Sequence, residues 1–320
     1  MNGNLIISLD FELHWGAPEK WDLEQKKQYF QNTRLVINEM LQLFEESNLK
    51  VTWATVGFLF SSNLNELLSF HPEEKPTYKN EKLNNYSLFE NELVGNNEEV
   101  DEFHFAKSIV KKILETKGQE LASHTFSHYY CDELGQNSSQ FNADIEAAQT
   151  ISLKLFGTEL KSLVFPRNQY NSEYLEIIKA NGFKVIRVNP DVWFWNKKSR
   201  FNFIGRAFDT LLPISKTLTF KTTSIQKKGD LILLPASRFF RPYSSREKYI
   251  QKIKINRIKR EMLWAAKKGE NYHLWWHPHN FGYNTEKNMK QLKDILEYYQ
   301  LLKIKYNFNS KCMEDFHHEK

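Results

Sequence analysis

Two histidines in the middle of the chain have the spacing of metal ligands. His124 and His128 lie four residues apart in the stretch from Gly118 to His128, directly after a short predicted strand. Two imidazoles at this spacing can face one point from a single helical turn or a tight loop. Because the chain has ten histidines, the pair could also be a coincidence. It predicts a metal site only if the rest of the chain supplies a third ligand, a base and an acid.

The first predicted strand carries two candidate carboxylates. Alternate residues of 4–10 are apolar, which predicts a buried strand, and Asp10 and Glu12 lie on the opposite face at its end. An Asp-x-Glu pair there would aim two carboxylates in the same direction. One would be the third metal ligand and the other would stay free, and the spacing alone leaves open which is which. The competing interpretation is that these acids only cap the strand or form a turn.

Strands and helices alternate along the whole chain, which favours a parallel sheet and, with seven or eight such units, a (β/α) barrel. The long helix predicted from Ser138 to Phe156 ends at Gly157, and further strand candidates include 202–206 and 230–236. Polar residues recur at the predicted carboxyl ends of the strands, where the active sites of barrels lie. These residues are Asp10, Glu12, His124, Arg167, Asp191 and His277.

These residue types together predict metal-assisted hydrolysis of an amide or ester. Two histidines and one carboxylate hold Zn²⁺, Fe²⁺ or a similar ion and leave a position open to water. The metal would lower the pKa of that water from 15.7 to about 7. Glu12 fits the third ligand, Asp10 the base and His277 the acid that protonates the departing amine. An arginine such as Arg167 next to the base would keep it ionised and oriented. His279, two residues beyond His277, is an alternative acid or a substrate-binding group.

Several segments of the sequence resemble the polysaccharide deacetylases, the NodB-homology group of carbohydrate esterase family four. Gly118–His128 is similar to the second motif of that family. Ser8-Leu9-Asp10-Phe11-Glu12 resembles the first motif, although one residue separates two acids that are commonly adjacent aspartates. Leu163-Val164-Phe165-Pro166-Arg167-Asn168 occupies the place of the third motif with its arginine and proline reversed, Asp191 and Trp193 match the fourth, and Trp275-Trp276-His277 is similar to the fifth.

The resemblance extends in order from Ser8 to His277 and implies a distorted (β/α)7 barrel with a bound divalent metal. It implies Zn²⁺ as the first expectation, with Fe, Co, Mn or Ni as alternatives. By the same resemblance, Asp191 supports a catalytic residue and Trp193 lines the substrate groove. Asn168 and His279 are the other expected substrate contacts. The implied activity is removal of N-acetyl or O-acetyl groups from sugars.

Composition, charge and segment patterns predict the remaining features of the chain. A net charge of +5 in 320 residues gives no indication of nucleic-acid binding, and no stretch predicts a membrane-spanning helix. We expect one domain over 1–320, with an inserted loop or lid at 71–101, before the His-x3-His segment, and a basic outer helix at 245–268. Two isolated cysteines and an N-terminus without signal-peptide features predict a cytoplasmic protein. The basic helix predicts peripheral contact with the inner face of the membrane or with a lipid-linked sugar.

The leading hypothesis is therefore a hydrolase of carbon–nitrogen bonds other than peptide bonds. It would remove an acetyl group, N-acetyl before O-acetyl, from a sugar in surface-polysaccharide or glycolipid biosynthesis. The first alternative keeps the site but assigns it a small non-sugar amide. The second is a non-catalytic barrel that binds membrane or sugar-phosphate carriers through its basic face.

Overall fold

The computed structural model of the chain describes residues 2–190, 192 and 217–318. Its strands are β1 (Asn4–Phe11), β2 (Val51–Thr55), β3 (Gln119–Ser123), β4 (Ser162–Val164), β5 (Val185–Val188), β6 (Gln226–Lys228), β7 (Leu231–Pro235), β8 (Arg238–Phe239), β9 (Asn271–Trp276) and β10 (Asn309–Lys311). Its α-helices are α1 (Leu23–Glu46), α2 (Leu64–Leu68), α3 (Ser87–Glu90), α4 (Lys107–Glu115), α5 (Ser138–Phe156), α6 (Leu175–Ala180), α7 (Gln251–Lys268) and α8 (Thr285–Tyr306).

The strands form one sheet in the order β6-β7-β5-β4-β3-β2-β1-β9-β8, with β10 added to β1. Every pairing is parallel except that of β6 with β7. Among the described residues no strand ladder closes the sheet into a ring. The segment between β7 and β8 nevertheless connects β5 with β9, two strands far apart in the sheet order. The N–H of Ala236 donates to the carbonyl of Val188 in β5, and the N–H of Ser237 donates to the carbonyl of His273 in β9. The result is a curved, incompletely closed barrel.

Successive side chains point to opposite faces of each strand, and this alternation produces two separate apolar cores. Residues such as Leu5, Ile7 and Leu9 of β1 belong to the large core that includes the buried sides of the helices. Ile6 points the other way and joins a smaller cluster with Ala54, Ala122, Val164, Val185, Ile232, Leu234, Met313 and Phe316. By the period of two, Ser8 and Asp10 share the face of Ile6. The interior of the curved sheet is therefore apolar near the amino ends of the strands and polar toward their carboxyl ends.

Helix α5 shows how local sequence fixes the elements around the site. Its first turn has a capping box, in which Asn137 and Gln140 each accept a hydrogen bond from the other's backbone N–H. It ends at Gly157 with φ of +66°, the left-handed conformation that glycine adopts without steric cost. Both ends agree with the sequence prediction. The helix thus has a fixed position beside the loop that carries the two histidines.

Two predicted features need separate mention. The segment 71–101, predicted as an inserted loop or lid, contains a 3-10 turn and the short helix α3, and Asn85 within it is buried and donates to the carbonyls of Trp15 and Ser127. The strand predicted at 202–206, together with Asp191 and Trp193, lies outside the described residues. No helix among the described residues is long and apolar enough to span a bilayer.

Candidate metal and catalytic site

Two buried acids extend from the carboxyl end of β1 toward the barrel mouth. Asp10 lies within the strand, and Glu12 follows it and precedes a 3-10 turn that ends at Gly16. Asp10 and Glu12 are 2% and 4% exposed. A side chain on residue 16 would collide with the Glu12 carboxylate. The glycine therefore allows the turn to fold back against this acid.

The two histidines flank a tight loop that follows β3. His124 comes directly after the strand, and the backbone then turns through positive φ at Thr125 (64°) and at His128 (61°). Asp144 of α5 holds this loop, since its carboxylate accepts the backbone N–H groups of Phe126 at 2.7 Å and Ser127 at 3.1 Å. It also accepts the Ser127 hydroxyl. This support compensates for an unfavourable backbone conformation.

The imidazoles of His124 and His128 converge on one oxygen of Glu12. Their Nε2 atoms lie 3.0 Å and 3.2 Å from Glu12 Oε1. The Nδ1 atom of His124 lies 2.9 Å from the Val164 carbonyl, and Nδ1 of His128 lies 3.0 Å from the Tyr130 hydroxyl. The carbonyl can only accept, so His124 donates to it from Nδ1 and directs Nε2 at the site.

This donor set fits a divalent metal ion. The ligand atoms of Glu12, His124 and His128 all lie within 4.8 Å of one another, and all three residues are buried. Burial lowers the pKa of His128 to about 4, so its imidazole is neutral at physiological pH. Burial alone would raise the pKa of Glu12, but the nearby histidines outweigh it and hold this pKa well below its usual range. Neutral imidazoles and an ionised carboxylate are the protonation states that metal binding needs.

Asp10 has a different arginine partner from the predicted one. Arg187 of β5 donates from Nη1 to Asp10 Oδ1 and from Nη2 to Asp10 Oδ2, each at 2.7 Å. It also donates to Ser8 Oγ at 2.9 Å and to Asn168 Oδ1 at 3.0 Å. Burial would raise the pKa of Asp10, but the Arg187 guanidinium outweighs it and lowers that pKa. The sequence signal for Arg187 was a single cation inside the otherwise apolar strand Val185–Val188.

The predicted pairing of Arg167 with Asp10 is wrong. Arg167 follows β4 as expected, but its backbone is left-handed, with φ of 53°. Its guanidinium forms an ion pair with Glu19 and lies over the Tyr130 ring, 4.1 Å from the ring centre. Arg167 therefore contributes to the wall of the mouth beside His128 and does not hold the base. Asn168, the next residue, reaches the site through Arg187.

His277 and His279 follow β9 on the opposite side of the acids. His277 Nε2 lies 3.5 Å from Glu12 Oε1 and 3.7 Å from Asp10 Oδ2. Burial would lower the pKa of His277, but the charges of Glu12 and Asp10 raise it overall. His279 is buried, its Nδ1 lies 3.9 Å from Glu12 Oε2, and burial with the charge of His277 lowers its pKa to about 3. The pKa values of the two histidines are thus shifted in opposite directions.

A second set of donor atoms, those of Asp10, Glu12 and His277, also lies within 4.8 Å. Arg187 occupies both oxygens of Asp10, and its positive charge disfavours a cation there. Of the two sets, Glu12, His124 and His128 therefore fit a metal ion better. Sequence reasoning predicted Asp10, Glu12, His124, His128 and His277 as neighbours, and the structure places them together. Sequence reasoning did not identify Arg187, Asp144 or Tyr130. Asp191 and Trp193 lie outside the described residues.

Comparisons with known proteins agree with this fold. Residues 30–186 match the family model of the polysaccharide deacetylases. That span contains His124 and His128 but not Asp10, Glu12 or His277. No curated protein matches the chain.

Solved structures similar to the chain share its fold at low sequence identity. A protein assigned as a polysaccharide deacetylase from Mycobacterium smegmatis is 11% identical with a TM-score of 0.60, over 99% of this chain and 90% of the other. One from Pseudomonas aeruginosa PAO1 is 11% identical with a TM-score of 0.55, over 98% and 89%. Puue allantoinase is 10% identical with a TM-score of 0.55, also over 98% and 89%.

At these identities the likeness shows the fold alone, and it confirms the predicted NodB-type architecture. The family match adds the sequence relationship. About half of the chain, residues 30–186, thus matches the polysaccharide deacetylase family.

Proposed function

We propose that the chain is a metal-dependent deacetylase that hydrolyses the acetyl group, N-acetyl before O-acetyl, of a sugar in surface-polysaccharide or glycolipid assembly. The family match supports deacetylation of a carbohydrate by hydrolysis of a carbon–nitrogen or ester bond. The observation that carries the proposal is the convergence of two His Nε2 atoms on Glu12 Oε1, with His277 Nε2 3.5 Å from the same oxygen. Metal ligands, base and acid would therefore lie around one reacting carbonyl.

Glu12, His124 and His128 would hold the ion. A divalent ion bound there would polarise the acetyl carbonyl and make a water molecule more acidic. Zn²⁺ is our first expectation, because two neutral imidazoles and one carboxylate are the ligands of many catalytic zinc sites. The hydrogen bonds to Val164 and Tyr130 would keep both Nε2 atoms directed at the ion.

Asp10 and His277 would move the protons. Asp10, kept ionised by Arg187, would accept a proton from the attacking water. His277 is protonated more readily than an ordinary histidine because two carboxylates face it, and 24% of its side chain is exposed at the mouth. It would donate its own proton to the sugar nitrogen as the carbon–nitrogen bond breaks. The products are acetate and the free amino sugar.

The remaining candidates would contact the substrate or the mouth. Asn168 accepts from Arg187 and has an amide left to donate. The Trp21 ring packs edge-on against the His279 ring at 5.1 Å between centres, beside the space where a sugar would enter. Arg167 stays a candidate for the wall of the groove. Asp191 as a supporting acid and Trp193 as a groove residue remain predictions.

Acetate release by purified protein from N-acetylated oligosaccharides, before and after chelation, tests the activity. Metal content of the same preparations tests the ligands. We expect about one ion per chain, with acetate release abolished by chelator and restored by Zn²⁺. Replacing His124→Ala should remove both metal and activity. The surface variant His318→Ala should change neither, since its imidazole is exposed and far from these ligands in the chain. Stoichiometric metal without hydrolysis of any acetylated sugar would contradict the deacetylase proposal.

A further inference from the structure

The outer face of helix α7 carries an exposed stripe of apolar and basic side chains. Tyr249, in the 3-10 turn that leads into the helix, is 84% exposed, Ile253 is 42% exposed and Trp264 is 48% exposed. Together with Arg260 they are spaced four, seven and four residues apart, which places them along one side of a helix. Exposed lysines flank them at Lys248, Lys252, Lys267 and Lys268. We call this set of eight residues the α7 stripe.

Other cations of the same helix are buried or form ion pairs with neighbouring elements. Lys254 is buried and its ammonium lies 3.2 Å from Glu247. Arg257 is buried beside Glu261, and Lys259 forms an ion pair with Asp294 of α8 at 2.6 Å. The basic character predicted for 245–268 therefore has two parts. One part holds the helix against its neighbours, and the α7 stripe is the part that faces solvent.

Acidic groups are lacking on the exposed side of this segment, which the structure describes completely. It has two acids: Glu261 is buried and forms an ion pair with Arg238, and Glu247 is partly buried and forms an ion pair with Arg241. Lys248 lies over the Tyr249 ring at 4.8 Å, and Lys268 lies over the Trp264 ring at 5.3 Å. The stripe thus presents cations and amphipathic rings together, along the eighteen residues of α7, which span about 27 Å, and the turn before it.

We propose that the α7 stripe docks the protein on an anionic phospholipid surface. Lysine and arginine beside tryptophan, tyrosine and isoleucine are the side chains that interfacial helices present to headgroups and the adjoining acyl chains. A second copy of the chain would place like charges opposite each other and is disfavoured. Nucleic acid would satisfy the cations but would leave Ile253 exposed. The amino end of the stripe follows the loop after β8, at the mouth end of the barrel, and the stripe extends along α7 toward the amino end of β9.

Sedimentation of the full-length protein with lipid vesicles tests this docking without any use of catalysis. We expect binding to vesicles that contain phosphatidylglycerol, little binding to pure phosphatidylcholine, and weaker binding as salt rises from about 0.1 M to about 0.5 M. The combined variant Lys248→Glu, Lys252→Glu and Arg260→Glu should bind at least roughly tenfold more weakly. A second variant that keeps every charge, Tyr249→Ser with Trp264→Ser, should also bind more weakly.

The matched control changes three exposed lysines elsewhere, Lys111→Glu, Lys117→Glu and Lys154→Glu, on and beside helices α4 and α5. It alters net charge by the same amount and should leave vesicle binding unchanged. Equal loss in this control would show that overall charge, and not the α7 stripe, drives binding. Equal binding to both kinds of vesicle, or binding of duplex DNA with none to vesicles, would also overturn the proposal. Since the readout is binding, its failure is distinct from failure of the deacetylase assay.

Discussion

Asp10 and Arg187 form a two-point ion pair inside the barrel, with each carboxylate oxygen of Asp10 2.7 Å from a different guanidinium nitrogen. Both side chains are almost completely buried. A bidentate arginine fixes the plane of a carboxylate as well as its charge. The pair therefore orients the proposed base and keeps it ionised where burial alone would favour the protonated form.

Replacing Arg187→Met should reduce both stability and turnover. Removing one partner leaves an unpaired buried charge, which costs about 3–5 kcal/mol in the free energy of unfolding. The pKa of Asp10 should rise because burial then loses its largest opposing influence, so the acidic limb of the pH–rate profile should move to higher pH. Urea unfolding and acetate release across pH measure the two effects.

Arg167→Gln is the matched control for this prediction. It breaks the partly exposed ion pair with Glu19, for which we expect a change of at most about 1 kcal/mol, and it leaves the Asp10–Arg187 pair intact. The acidic limb of its pH–rate profile should stay in place. If the two variants shift that limb equally, Arg187 is not the specific partner of the base.

Tyr130→Phe should weaken metal binding without removing a ligand. The Tyr130 hydroxyl lies 3.0 Å from Nδ1 of His128 and is the hydrogen-bond partner that orients this ring. Loss of such outer partners typically lowers metal affinity by roughly 10- to 100-fold. Competition with a chelator of known affinity measures the change. Tyr129→Phe is the control, since that hydroxyl bonds to Gln136 and not to a histidine. Unchanged affinity in Tyr130→Phe would contradict the orienting role.

Asp144→Ala should disorder the loop between the two histidines. The Asp144 carboxylate accepts two backbone N–H groups and one hydroxyl from this loop. Each buried donor that loses its partner costs about 1–3 kcal/mol. We expect lower stability, faster amide exchange at Phe126 and Ser127, and weaker metal binding. Glu146→Ala, on the same helix but outside this hydrogen-bond network, should change none of the three. If the backbone amides of Phe126 and Ser127 remain protected from exchange in Asp144→Ala, the loop keeps its conformation without the Asp144 carboxylate.

The sequence was sufficient to predict that the proposed ligands, base and acid lie together, because each follows or ends a strand at its carboxyl end and has a side chain with distinctive chemistry. Arg187 was harder to predict, since it lies inside a strand and meets Asp10 across 177 positions of the chain. Arg167 lies at the predicted place, but its left-handed backbone turns the side chain toward Glu19. Asp144 looked like an ordinary helix acid, because no local pattern shows that its helix packs on the histidine loop.

One further acid lies at the opposite end of the barrel interior. Glu120 of β3 is buried, and its Oε2 accepts from Thr52 Oγ1 at 2.6 Å and from the backbone N–H of Glu314 at 3.2 Å. Its Oε1 has no hydrogen-bond partner among the described residues. Burial, assisted by the charge of Glu314, raises the pKa of Glu120 to about 7. The Glu120 carboxyl therefore stays protonated to higher pH in the folded protein than in the unfolded chain.

Glu120→Gln should stabilise the protein in a pH-dependent way. A carboxyl whose pKa is higher in the folded than in the unfolded state makes its full contribution to stability below about pH 4.5, and this contribution is lost as pH rises through 7. At pH 8 the folded protein holds a buried charge, and we expect the variant to be more stable by up to about 3 kcal/mol. At pH 4.5 the two proteins should differ little, because glutamine resembles the protonated acid. Urea unfolding at both pH values measures the difference, with the exposed Glu115→Gln as the control that should show no such pH dependence. If the variant and the unsubstituted protein differ in stability by the same amount at both pH values, the pKa of Glu120 is not raised in the folded state.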